Sequence, residues 1–234
     1  MTVRVHRYSD TTLLSQGVAS FLARRLSARR SGFELCLSDG LGDVCAALGQ
    51  SMADAGVRPR HVDLWWSDDR FVDMTDPARV STKTLSALGD LRFAAGNVHP
   101  MPTPAGNADV AAAALLYATE LDDVAFDLAI LAVGEDGGVA GLRPGSRAFT
   151  HPEAHTVIGV RDHGLDRLTL TTEALSRSAA VWYVAAGESV STVLARVVAD
   201  DKALPAGCLR GQVETRLFVD EAAASKLPYH VCEV

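Results

Sequence analysis

The stretch Phe126-Asp127-Leu128-Ala129-Ile130-Leu131-Ala132-Val133 is apolar at seven of eight positions and stops against Gly134-Glu135-Asp136-Gly137-Gly138-Val139-Ala140-Gly141-Leu142-Arg143-Pro144-Gly145-Ser146. A run of this length with no polar alternation fits a strand buried on both faces, which needs packed layers above and below it. That requirement decides the fold class. The thirteen residues after the strand hold five glycines, more than one turn requires. Close backbone approach to a ligand accounts for this density, and so does a mobile loop.

The same alternation extends in both directions. Residues 12–29 carry Leu13, Leu14, Val18, Phe21, Leu22 and Leu26 at helical spacing, after a cap at Ser9 or Asp10. Residues 33–37 form a short apolar run stopped by Ser38-Asp39-Gly40-Leu41-Gly42-Asp43. A helical stretch follows over 44–52, then a strand over 61–66 stopped by Ser67-Asp68-Asp69-Arg70. Residues 98–101 read as a strand and 108–121 as a helix. Beyond the glycine loop, 167–171, 181–185 and 217–219 read as strands, with a helix over 189–198 between the last two. This order predicts a single α/β domain over residues 1–234, with a mainly parallel sheet and helices on both faces. No Pro-, Gly- and Ser-rich linker or internal repeat divides the chain.

Composition narrows the function classes. The chain has 234 residues, 48% hydrophobic and 22% charged, with net charge −7, the profile of a soluble globular protein. The acidic balance argues against nonspecific nucleic-acid binding. No apolar stretch approaches the ~18 residues of a membrane span. The opening MTVRVHRYSD lacks the apolar run of a secretory signal, so a cytoplasmic location is expected. Cys36, Cys45, Cys208 and Cys232 show neither CxxC nor Cys/His zinc spacing, which predicts buried free thiols and no metal site.

In open α/β sheets, ligands sit at the carboxyl ends of strands, so residues 38–43, 67–73 and 134–146 are the loops of interest. In the first, Gly40 and Gly42 suit either a tight turn or an anion met by backbone N–H groups at a helix N-terminus. Cys45 stands where a dinucleotide fingerprint needs its third glycine. In the second, either Asp68 or Asp69 orients an anionic group bound by Arg70, or the triplet is a capping turn with a surface ion pair. The tandem Trp65 and Trp66 are expected in the core.

Taken in order, these loops resemble the 6-phosphogluconolactonase family, which shares its fold with glucosamine-6-phosphate deaminases. The resemblance covers nearly the whole chain. The family's Ser-Gly-Gly looks like Ser38-Asp39-Gly40, its Asp-Glu-Arg like Asp68-Asp69-Arg70, and its Gly-x-Asp-Gly-His-x-Ala-Ser-Leu-Phe-Pro like Gly134 to Pro144. Its Arg-Ile-Thr-Leu matches Arg167-Leu168-Thr169-Leu170. Its closing Leu-Pro and Asp-x-Ala-Ala match Leu204-Pro205 and Asp220-Glu221-Ala222-Ala223.

The resemblance implies hydrolysis of 6-phospho-glucono-1,5-lactone to 6-phosphogluconate in the pentose phosphate route, a small phosphosugar partner, and no cofactor or metal. It implies a substrate site from Ser38, Asp39, Gly40, Asp68, Arg70 and Arg167, and a catalytic pair at Asp136 and position 138. At 138 the family carries the histidine regarded as its general base, and this chain carries Gly138. Asp39, Gly141 and Arg143 also depart from the pattern. A general base contributes ~10²–10⁴ in rate. Either Asp39, Glu135, His151, His155 or His163 replaces it, or Asp39 or Asp136 serves a different phosphosugar reaction, or the chain is a catalytically silent phosphosugar- or partner-binding homologue.

Overall fold

The computed structural model describes residues 3–29, 31–56, 58–91, 93–150, 155–162, 164–228 and 232–233. The chain enters with β1 (Arg4–Tyr8), α1 (Thr11–Ala28), β2 (Phe33–Leu37), α2 (Gly42–Asp54), β3 (Val62–Trp66), β4 (Asp68–Arg70), α3 (Val80–Leu88) and β5 (Val98–His99). It continues through α4 (Val110–Leu121), β6 (Leu128–Ala132), α5 (Arg147–Thr150), β7 (Val157–Asp162), β8 (Leu165–Leu170) and α6 (Thr172–Ser176). It closes with β9 (Ala180–Ala185), α7 (Ser191–Val198), α8 (Pro205–Cys208), β10 (Glu214–Asp220) and β11 (Cys232–Glu233).

Local chemistry sets several of these boundaries. The Asp10 carboxylate accepts the N–H of Leu13 at 2.8 Å and Asp109 accepts that of Ala112 at 2.8 Å, so α1 and α4 each begin on an aspartate cap. Along α1, Leu14, Val18, Leu22 and Leu26 recur every four residues and form its buried stripe.

Eight strands make one sheet in the order β11-β1-β10-β9-β6-β2-β3-β5, with every pair parallel. The expected mainly parallel sheet is therefore present, and β6 lies inside it. Leu128 and Ile130 of β6 pack into the core under α1, α2 and α3, while Ala129 and Leu131 pack into the core on the opposite face. Trp65 and Trp66 divide between the two cores in the same way.

The stretch 167–171, expected in the main sheet, belongs elsewhere. β8 pairs antiparallel with β7 and β4 in a separate three-stranded sheet, order β4-β8-β7. Asp162 pairs directly with Leu165 across a tight hairpin, whereas a parallel neighbour would need a crossover of a dozen residues or more. The loop expected at 67–73 likewise holds the strand β4, because Asp68 to Arg70 have β8 to pair with. Cys36 and Cys45 are buried free thiols as expected, but Cys208 is only half-buried. Among the described residues, no helix is long and apolar enough to cross a membrane.

Neighbouring strands β2 and β6 lead in opposite directions: β2 continues through α2 to β3 on one side, and β6 continues toward β9 on the other. That divergence opens a crevice at their carboxyl ends, the place where doubly wound sheets hold ligands.

Candidate active site

A cleft of about 240 Å³ occupies this crevice. Ser38, Asp39 and Gly40 enter from the loop after β2, and Ala132 to Gly134 from the end of β6. Gly138 to Ala140 and Arg143 come from the glycine loop. Asp68, Asp162 and Arg167 come from the small sheet. All three loops of interest thus reach one place, although they are separated by up to a hundred residues in sequence. The Ser38 hydroxyl ties two of them together, accepting the N–H of Ala132 at 2.8 Å.

Asp68 and Asp69 are adjacent, both fully buried, and serve different ends because side chains alternate along a strand. Asp69 accepts the N–H groups of Val80 (2.7 Å) and Ser81 (3.2 Å) and the Ser81 hydroxyl (2.8 Å), and lies 3.3 Å from the buried Arg79 guanidinium. It caps α3 and does not line the cleft. Asp68 faces the cleft, where it accepts the Ser67 hydroxyl at 3.1 Å and pairs with Arg167. Burial pushes the Asp68 carboxyl above the usual carboxylate range, and the Arg167 charge offsets this only in part. The capping-turn reading of the triplet therefore holds in part. Asp69 is the cap, and Asp68 makes an ion pair that is interior rather than on the surface.

Arg167 is 8% exposed, and its Nε has no hydrogen-bond partner while the guanidinium lies on the cleft wall. A second carboxylate, Asp39, stands 3.7 Å from Arg167 and 2.8 Å from Lys83 Nζ. Burial raises the Asp39 carboxyl, but Lys83, the N–H of Gly40 and Arg167 together hold it below its ordinary value. Lys83 escaped the sequence reading; it sits on α3, a helix that reading did not assign.

The glycine loop folds back on itself. Gly134 N–H donates to Gly138 O at 2.9 Å, and Val139 and Leu142 exchange both backbone bonds. Gly141 N–H donates to the Thr169 hydroxyl at 3.0 Å, and Gly138 N–H to Asp136 Oδ1 at 2.9 Å. Most of the N–H groups that the glycines expose are thus already engaged within the protein. Gly138 does not have a positive φ; that conformation belongs to Gly137, at 82°. A Cβ at 138 would lie 2.7 Å from Leu142 O and 2.9 Å from Asp136 Oδ1, so the Asp136 carboxylate stands beside the place a side chain would occupy. Arg143 spans the loop's rim, 3.4 Å from Asp136 and 3.1 Å from Asp162.

Of the remaining sequence candidates, Arg70 pairs with Arg167 in the β4–β8 ladder but does not line the cleft. It is half-buried, and its Nε also lacks a partner. Glu135 and His155 are exposed and outside the cleft. His151 and His163 lie outside the described residues. Asp162 joins the cleft without having been singled out, because its strand β7 was not read from the sequence.

Comparison with known proteins supplies the family. The sequence profile described as glucosamine-6-phosphate isomerases/6-phosphogluconolactonase matches residues 9–218. A 6-phosphogluconolactonase of Streptomyces coelicolor is 34% identical over 96% of this chain and 94% of its own length. One from Mycobacterium leprae is 28% identical over 97% of this chain and all of its own. In fold, the chain matches the 6-phosphogluconolactonase structure from Trypanosoma brucei with a TM-score of 0.84, at 20% identity over 97% of this chain and 99% of that one. A monomeric glucosamine-6-phosphate deaminase matches with a TM-score of 0.80 at 14% identity. With its sheet, its crevice loops and most of its length accounted for in this way, the chain belongs to the glucosamine-6-phosphate isomerase/6-phosphogluconolactonase family.

Proposed function

We propose that the cleft binds 6-phospho-glucono-1,5-lactone and hydrolyses it slowly, with a carboxylate in place of an imidazole as the group that activates water. The observation that carries the binding half is Arg167, a cation on the cleft wall beside Asp39 and Asp68. Its fork suits a phosphate or carboxylate, and Ser38 and Gly40 line the same space. Arg70, directly opposite Arg167 in the β4–β8 ladder, adds positive potential rather than a cleft contact.

Hydrolysis needs water to lose a proton as it adds to the lactone carbonyl, and a positive field for the resulting oxyanion. The oxyanion collapses by breaking the bond from C1 to the ring oxygen, and that oxygen takes the proton back as a hydroxyl. Asp136 is the group beside position 138, so it takes the role of proton acceptor in this reading. Its partner Arg143 stands at the same rim and supplies the field. A carboxylate is a weaker base than an imidazole, by about 2–3 pKa units in reference compounds, which makes slow turnover the expected outcome.

A second reading, a silent phosphosugar-binding homologue, is favoured by the loop N–H groups being engaged internally, which leaves few donors for an oxyanion. Lactone hydrolysis measured against the spontaneous background separates the two. The hydrolytic reading expects acceleration that is lost in Asp136→Asn, whereas an unchanged background supports the silent one. The pH profile is a further check. Asp39 has a lowered carboxyl pKa, so its ion pairs are complete above the ordinary 3.8 and fail only as the pH falls through a lower value. Among the described residues no histidine lines the cleft, so kcat/KM should show no ionisation near neutral pH beyond that of the substrate phosphate, whose second pKa is about 6. A second step there would place the base on a histidine.

A further inference from the structure

We propose that Asp39 is a built-in counter-ion that sets the charge selectivity of the cleft, standing between the two cations that an incoming phosphate has to reach. This rests on the reading of the cleft as a phosphosugar site. One Asp39 oxygen lies 2.8 Å from Lys83 Nζ and the other 3.7 Å from the Arg167 guanidinium, so a single carboxylate answers both charges at once. Gly40 N–H adds a bond to it at 2.9 Å. Without Asp39, Lys83 would lose its carboxylate partner and Arg167 would keep Asp68 alone.

The charge balance points the same way. Asp39, Asp68 and Asp162 line the cleft and Asp136 stands at its rim, against Arg143 and Arg167 and the Lys83 that pairs with Asp39 from α3. Four carboxylates against three cations leave no surplus for a phosphate that carries nearly two negative charges at neutral pH. Asp68 cannot yield, because it is fully buried and paired with Arg167. Asp39 can, because its side chain is 33% exposed and that of Lys83 44%, so water screens their attraction and can take over their solvation. A second hollow of about 220 Å³, lined by Asp39, Gly42, Lys83 and Thr84, borders the same loop and gives the carboxylate somewhere to turn. Phosphate entry is therefore an exchange of one anion for another, and the native cleft gains less from the phosphate group than its cations would allow.

The experiment is calorimetric titration of the full chain with 6-phosphogluconate and with gluconate. Asp39→Gly should bind 6-phosphogluconate at least tenfold more tightly than the native protein, with gluconate changed by less than twofold, and the gain should shrink with added salt. Asp39→Asn keeps the side chain's shape without its charge, and should show the gain in part. In the double variant with Lys83→Met most of the gain should vanish, because the freed cation is its source. Native protein that binds 6-phosphogluconate while Asp39→Gly binds it equally or more weakly would overturn this proposal alone, and would make Asp39 a ligand-holding group. Failure of native protein and Asp39→Gly alike to bind 6-phosphogluconate would overturn the phosphosugar reading and this proposal with it.

Discussion

The two walls of the cleft handle charge in opposite ways. On the small-sheet wall, Asp68 and Arg167 are buried and answer each other. On the glycine-loop wall, Arg143 meets Asp136 and Asp162 at the rim, with its side chain 42% exposed. Burial explains the contrast. Removing one partner of an interior pair strands a charge away from water, whereas at the exposed Arg143–Asp136 pair solvent covers the loss.

The contrast breaks most sharply at Arg167. Arg167→Ala should destabilise the protein by about 3–5 kcal/mol, since it leaves the buried Asp68 carboxylate without its cation. Denaturant unfolding measures this. Arg167→Met combined with Asp68→Asn removes both charges and should recover most of the loss; a double variant as unstable as the single would show that the pair is not the source. In the double variant, any preference for 6-phosphogluconate over gluconate should also disappear.

An intermediate effect is expected at Gly138. Its backbone conformation admits a side chain, but the new Cβ would meet Leu142 O at 2.7 Å, and a backbone carbonyl gives way only if the 139–142 turn moves. Gly138→His should therefore cost about 1–3 kcal/mol from overpacking and raise lactone hydrolysis less than tenfold. A larger gain, with a histidine-like pH step, would show that the loop opens readily and that the departure at 138 alone separates this cleft from the family's.

The smallest effect belongs to the exposed wall. Arg143→Ala should change stability by no more than about 1 kcal/mol, as is usual for solvent-exposed ion pairs. A thermal unfolding comparison with the native protein checks this, and a loss as large as that of Arg167→Ala would erase the distinction between the walls.

Much of the fold was legible because apolar periodicity records burial directly. β2 was placed at 33–37 as observed, and α1, α2, α4 and β6 fell within two residues of their final bounds. The elements that escaped are those whose partners are distant or whose pattern is short. β4 is three residues of Asp-Asp-Arg, a strand only because β8 lies alongside it. β7 has glycine and charge within it, and α3 takes its cap from Asp69, eleven residues before its first residue.

The candidate site divides along the same line. The resemblance named Ser38, Asp39, Gly40, Asp68, Arg70, Asp136, Gly138 and Arg167; all but Arg70 and Asp136 line the cleft, with Asp136 bonded to Gly138 and Arg143 at its rim. The sequence could mark two adjacent aspartates as unusual, but it could not say that one caps a helix and the other meets an arginine 99 positions away. That assignment depends on which face of β4 looks toward β8 and the crevice. The sequence by itself determined the layers, because hydrophobic spacing is a local consequence of which residues leave water. Only the tertiary structure decided which charges meet, because an ion pair depends on distances of a few ångströms between segments that the chain order leaves far apart.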